Sequence, residues 1–265
     1  MQLAHSVPAL LRALGLAPLA MLAACAVLVP APSPTAPTSG REALAAYARV
    51  LERFVDERGQ VDFHALAQDR GDLDRYVRHV ADIPLARLPG RNDKLAHLIN
   101  SYNALSMYNV IASGIPDSHA GFSKVTFFYS RKLLVGGEPI SLYDYENRVI
   151  RPFGDPRVHF ALNCSAVSCP VLPREPFTAA GLDAELEREA RAFFARPENF
   201  RIEPETRNVY LSEILRFYAE DFVPGHAASL VEYANRYAPR PAPPSFEARF
   251  TPYDWSIAKR RREVR

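Results

Sequence analysis

Cysteine, tryptophan and unbalanced charge are all scarce in this chain of 265 residues: there are three cysteines and one tryptophan, and 32 Lys and Arg stand against 30 Asp and Glu. The near cancellation leaves no broad positive field, so nucleic acid is not an expected partner. The one dense basic run, Lys259, Arg260, Arg261 and Arg262, sits at the extreme C-terminus and reads as a solvated tail. There is no internal repeat and no glycine-rich phosphate loop. His159, Cys164 and Cys169 lack the Cys-x2–4-Cys spacing of a zinc knuckle, so no motif calls for a metal or a cofactor.

What is present divides the chain in three. Residues Ala13 to Ala24 are apolar apart from one Gly and one Pro, with Arg12 as the only preceding basic residue. That is the size of a signal-peptide core and too short to span a bilayer as an ordinary helix. The run ends in Leu22-Ala23-Ala24-Cys25, which resembles the bacterial lipobox, so residues 1–24 are expected to be a lipoprotein signal and Cys25 the lipidated residue. Ala26 follows where Asp would, by resemblance to enterobacterial lipoproteins, favour the inner membrane. The expectation is therefore a periplasmic protein anchored by lipid to the outer membrane. Residues 25–40 are rich in Pro, Ala, Ser and Thr and read as an extended, disordered tether. Residues 41–265, with the hydrophobic content of a sizeable core, form the globular domain.

Apolar spacing predicts a helix from Arg41 to about Glu57, a second helical region over 64–82 that Gly71 breaks, and a long helix from Asn92 or Asp93 to about Ser113. The long helix carries His97, Asn100, Asn103 and Met107 in a line at three- and four-residue steps. Buried amides need partners, so these either cross-link the fold or line a cleft. Residues 124–135 and the run "EPISLYDYEN" from Glu138 read as two short strands around Gly136-Gly137, leading into a helix from about Ser141 to Ile150 with Ser141 and Asp144 as its helix-start box. Residues 157–163 read as a buried central strand. A helix over 178–195, a hairpin of 200–203 with 208–211, two further helices and an extended tail follow. Trp255 reads as a core anchor closing the fold.

The stretch "HFALNCSAVSCP", His159 to Pro170, concentrates the chemistry. A reactive thiol needs a neighbouring base or positive pole and a group that orients the base. On a strand, His159 and Cys164 face opposite sides and meet only if the strand ends near Asn163. Three readings stay open: Cys164 as a nucleophile with His159 as base and Asn103, Asn100 or Asp254 orienting; a local Cys164–Cys169 disulfide worth roughly 2 kcal/mol; and His159, Cys164 and Cys169 as metal ligands.

"LINSYNALSMYNVI", "GGEPISLYDYENRVIR", "DPRVHFALNCSAVSCPVL" and "PYDWSIA" together resemble the domain of unknown function DUF547, from about Leu95 to Trp255. The resemblance implies that Cys164 is the thiol to watch, because plant relatives carry serine where this chain has Cys169. It implies no reaction. A weaker likeness is to papain- and transglutaminase-like thiol enzymes, although here the histidine precedes the cysteine and the early helix carries Asn100 and Asn103 in place of a cysteine.

The expected fold is α+β or α/β, helix-rich on a small central mixed sheet. The expected function is a thiol-dependent hydrolase or transferase acting on an unknown envelope substrate. The alternative is a non-catalytic envelope protein, bridged at Cys164 and Cys169, that binds a ligand or partner.

Overall fold

The computed structural model describes residues 26–33 and 38–260; the signal segment and Cys25 lie outside the described residues. The chain begins with β1 (Val27–Leu28), which pairs in parallel with Arg131 and Lys132. Val29 is buried behind it, and the Tyr108 hydroxyl donates to the Pro30 carbonyl at 2.7 Å. This part of the expected tether is extended but docked, because Val-Leu-Val supplies strand-forming residues to an open sheet edge.

Helices α1 (Gly40–Phe54), α2 (Phe63–Gln68) and α3 (Gly71–Asp82) follow, the last two separated just before Gly71 as the sequence suggests. Ser39 and Glu42 close a capping box on α1, and Tyr47 and Tyr76 stack at 4.7 Å between α1 and α3. α2 and α3 pack on α4 (Arg91–Ala112), with α1 against them, and every residue of α4 from Leu98 to Val110 is buried. A helix with no solvent face must pair its polar side chains internally.

Those pairings organise the fold. The Asn100 amide donates to the Phe177 carbonyl at 2.8 Å and accepts from the Phe177 N–H at 2.9 Å. One turn on, Asn103 donates to the Ala161 carbonyl at 3.0 Å and accepts from the Asn163 N–H at 2.7 Å. Ser106 meets the Ser165 hydroxyl at 3.1 Å, and Asn109 donates to the Phe127 carbonyl at 3.2 Å while accepting from Arg131 at 2.6 Å. Successive turns of α4 thus grip three separate segments of chain, around 127–131, 161–165 and 177.

The first half of the run expected to be a short strand, Lys124 to Val135, is helical instead: α5 (Phe122–Val125) runs into a π-helix over Thr126–Ser130 before β2 (Arg131–Val135) begins. The Asn109 bond to the Phe127 carbonyl shows tertiary contact overriding strand propensity. The Gly136-Gly137 turn, with φ of +60° and +92°, joins β2 to β3 (Glu138–Ile140). The helix-start box is present at α6 (Leu142–Asp144), which continues as a π-helix to Ile150.

Residues 157–163 are not a strand. Pro156–Phe160 form a 3-10 turn, started by the Asp155 side chain on the Arg157 N–H and by Pro156, whose ring pre-sets φ. Its apolar run reads as a strand because it is buried on all sides: Val158 and Ala161 enter the core around α4, while Phe160 enters a second, aromatic core. That second core is built by α7 (Leu182–Phe194), the hairpin β4 (Phe200–Glu203) and β5 (Asn208–Ser212), α8 (Glu213–Phe217), α9 (Ala219–Phe222) and α10 (Leu230–Asn235). Finally β6 (Glu247–Thr251) pairs in parallel with β5. The fold is α+β, with two three-stranded mixed sheets where one central sheet is expected. Among the described residues no helix is long and apolar enough to cross a membrane.

Asn103→Ala strips partners from a buried N–H and a buried carbonyl, each costing about 1–3 kcal/mol. Urea unfolding should show a loss of about 2–4 kcal/mol, whereas a loss below about 0.5 kcal/mol would mean that the amide is not a clamp.

Candidate thiol site

The chain turns sharply after Cys164. Ser165 has φ +67°, in the left-handed region that side chains other than glycine rarely adopt, and is held there by its N–H on Asn163 Oδ1 at 2.7 Å and its hydroxyl on Ser106. The loop then folds back, with the Cys169 N–H on the Ala166 carbonyl. From outside, residues 254–259 lie across it: Ala258 N–H bonds the Ser165 carbonyl, Val167 N–H the Ser256 carbonyl, and His119 N–H the Trp255 carbonyl.

This loop places the Cys164 and Cys169 sulfurs 2.6 Å apart, both cysteines being free. Cys169 Sγ also accepts from the Cys164 N–H at 3.1 Å and lies 3.2 Å from the Tyr253 hydroxyl, which is 3.7 Å from Cys164 Sγ. Burial pushes the Cys169 thiol up, but the Cys164 S–H, the Tyr253 phenol and the Ala166 and Cys164 backbone outweigh it and bring the thiol below its ordinary value. The same sulfur–sulfur hydrogen bond raises Cys164 well above its own, with burial adding to the effect. The Cys164 N–H and the Tyr253 hydroxyl thus converge on Cys169, which is lowered while Cys164 is raised. The resemblance points instead to Cys164.

The sulfurs line a cavity of about 330 Å³. On their side stand Tyr253, Trp255, Phe217 and Lys124, whose ammonium lies 3.8 Å over the Trp255 ring. Trp255 lines this cavity rather than anchoring a core. His159 lines the same cavity but is hydrogen-bonded to neither sulfur. Its Nε2 lies 2.6 Å from Asp221 Oδ2, its ring stacks on Tyr218 at 4.0 Å, and its Nδ1 is 3.9 Å from Glu146 Oε1. Burial raises the Asp221 carboxyl, but hydrogen bonds from His159 and Arg151 more than reverse this and hold it well below the carboxylate range. An ionised Asp221 accepts only, so Nε2 carries the proton and a neutral ring presents its lone pair at Nδ1. The phenols of Tyr102 and Tyr218 join the two groups: burial raises both, and the charges of Glu146 and the cysteines raise them further.

Of the residues expected at the site, Cys164, Cys169 and His159 come together around one cavity. Asn100 and Asn103 do not reach it as free groups, since both ends of each amide are bound to backbone. Asp254 is exposed and turned away; its carboxylate accepts the Ser256 N–H. In the extended tail Tyr253 and Trp255 face the cavity and Asp254 the outside, the alternation expected of extended chain. Among the described residues, no group of three or more His, Cys, Asp or Glu is placed to hold a metal ion.

Four participants carry no sequence signal of their own: Asp221, Tyr218, Glu146 and His119. His119 is fully buried and its Nε2–H donates to the Cys164 carbonyl at 3.1 Å. Burial lowers it to about 4, partly offset by that bond, so it is a neutral prop for the turn.

Iodoacetamide should modify Cys169 before Cys164, with a rate rising through a midpoint below the ordinary thiol value of about 8.5. Tyr253→Phe removes a donor to the thiolate and so moves the midpoint up. Peptide mapping after alkylation from about pH 5 to 9 checks both; modification of Cys164 first would reverse the assignment.

Residues 85–194 match the family model described as Protein of unknown function, DUF547. No curated protein and no solved structure matches the chain. The matched segment contains Tyr102, Lys124, Glu146, His159, Cys164 and Cys169, and it stops short of Tyr218, Asp221, Tyr253 and Trp255. It is narrower than the Leu95 to Trp255 likeness expected from the motifs, and it is over residues 85–194 that the chain is similar to the DUF547 family.

Proposed function

We propose that this is a lipid-anchored protein of the bacterial envelope, on the periplasmic side and held at Cys25 to the outer membrane, with a thiol-dependent hydrolase or transferase site for an envelope substrate. One observation carries the chemistry: a hydrogen-bonded thiol pair and a histidine oriented by an ionised carboxylate line a single cavity. In this reading the Cys169 thiolate attacks an acyl carbonyl, the bond from that carbon to the leaving group breaks, the leaving group takes a proton from solvent, and a thioester remains. His159 Nδ1 then accepts a proton from the incoming water or acceptor, while Asp221 keeps the ring in one tautomer and stabilises its charge.

A second reading rests on the adjacency of the sulfurs. In an oxidising compartment the pair can pass two electrons and two protons to a disulfide acceptor, leaving a bridged, non-catalytic binding protein. With p-nitrophenyl acetate, the catalytic reading expects an acetyl adduct on Cys169 that is absent in Cys169→Ser, and turnover about 10²-fold lower in His159→Gln. Equal turnover in His159→Gln would overturn it. Protein trapped by alkylation in cells and found lighter by two hydrogens, with no adduct formed, would establish the bridged form.

If Cys25 carries lipid, only Ala26 separates it from β1, so the domain rests on the bilayer instead of swinging on a leash. Cys25→Ala should move the protein from the membrane to the soluble periplasmic fraction. An unmodified Cys25 in membrane-bound protein would rule the anchor out.

A further inference from the structure

Glu146 is 7% exposed, and among the described residues its one ion-pair partner is the His159 imidazole, which is charged only when protonated; no Lys or Arg pairs with it. Its hydrogen-bond donors are phenols: Tyr102 donates to Oε2 at 3.0 Å, and Tyr218 also bonds to the carboxylate. The two cations lining the cavity are engaged elsewhere. Arg151 is held by Asp221, Glu220 and Asn147, and Lys124 lies over Trp255. A buried carboxylate ordinarily has a positive partner, because leaving the charge uncompensated is costly.

Beside it stands a second unsatisfied acceptor. His159 is 3% exposed, and its Nδ1 has no hydrogen-bond partner among the described residues although Nε2 is fixed by Asp221. Nδ1 and Glu146 Oε1 are 3.9 Å apart, too far for a direct hydrogen bond and close enough for one donor atom to serve both. The rings of Tyr102 and Tyr218 line the same part of the cavity. Two acceptors, one of them a carboxylate side chain, flanked by aromatic faces, match a group that is positive, compact and bears several N–H donors.

We propose that this end of the cavity binds a primary ammonium group, with Glu146 as its counter-ion and His159 Nδ1 as its second acceptor. The inference deepens the thiol reading, on which the use of the amine rests, by naming the acceptor class. The amine of an envelope substrate would give one proton to His159 Nδ1, and its nitrogen would form a C–N bond to the thioester carbonyl as the C–S bond breaks. The thiolate would take a second proton from nitrogen, leaving an amide N–H, and His159 would return its proton to solvent. The site is then a transferase, and acyl transfer to water is its side reaction.

Binding is tested without the cysteines, so that it can fail or succeed apart from the thiol chemistry. Protein labelled with 15N-histidine, as wild type and as the Cys164→Ser, Cys169→Ser double variant, is titrated at neutral pH with n-butylammonium, n-butanol and potassium chloride. The expected result is saturable movement of the His159 Nδ1 resonance by n-butylammonium alone, in both proteins. Glu146→Gln should weaken it at least tenfold, and Glu220→Gln at the exposed rim should change it less than twofold. Equal responses to n-butanol would mean a neutral donor or water fills the site, and equal responses to potassium would mean a bare cation does; either overturns the assignment. So does a wild type that n-butylammonium does not move, a result independent of whether any variant folds.

Discussion

The structure depends on the requirement that polar side chains buried on α4 be paired. Between Leu98 and Val110 the helix has no exposed residue, so each amide or hydroxyl there must find a protein partner or cost about 1–3 kcal/mol. Asn100, Asn103, Ser106 and Asn109 find theirs on three chain segments, two of which, 161–165 and 177, have little regular structure of their own. This explains how a region as irregular as 161–177 can hold two sulfurs in fixed relation. The loop is bound to an element that cannot move without exposing the core.

The sulfur pair inherits that rigidity. Its turn needs Ser165 in a strained backbone region, and the strain is offset by bonds from Asn163, Ser106 and the tail at Ala258. With the backbone set, the Cys164 N–H and the Tyr253 hydroxyl both address Cys169, and the remaining thiol becomes a donor to it. Two like groups are thereby made unlike by their surroundings, which is how paired titratable groups acquire different roles.

The legible parts of the fold were those with local causes. Helix periodicity, the Ser141–Asp144 box, the Gly136-Gly137 turn and the break before Gly71 each follow from residues within one turn of one another. The same holds for the error at 157–163: Asp155-Pro156 is a helix-start signal, but a short run buried on all sides mimics a central strand when only hydropathy is counted. The line of amides on α4 was visible, and its two meanings were not separable, because burial on every side is decided by helices distant in sequence. Asp254 and Tyr253 illustrate the finer limit. Residues 253 and 255 share one face of extended chain, so the neighbour of the thiols was one position from the carboxylate that attracts notice. Asp221, Tyr218 and Glu146 meet His159 only through the packing of α9 and the π-helix on the 3-10 turn, a conjunction no spacing encodes.

That 3-10 turn is also why the site exists where it does. Val158 belongs to the core around α4 and Phe160 to the aromatic core, so His159, between them, lies at the seam where two packed bodies leave a cavity. The segment matched by the family model supplies the sulfurs, the histidine and Glu146 from one side of the seam. The rest of the chain supplies Asp221, Tyr218, Tyr253 and Trp255 from the other. The matched segment alone would therefore hold its reactive groups without the carboxylate that fixes the imidazole tautomer or the phenol that steadies the thiolate. In this protein the candidate site belongs to the junction, and what lies outside residues 85–194 completes the surroundings of the groups inside it.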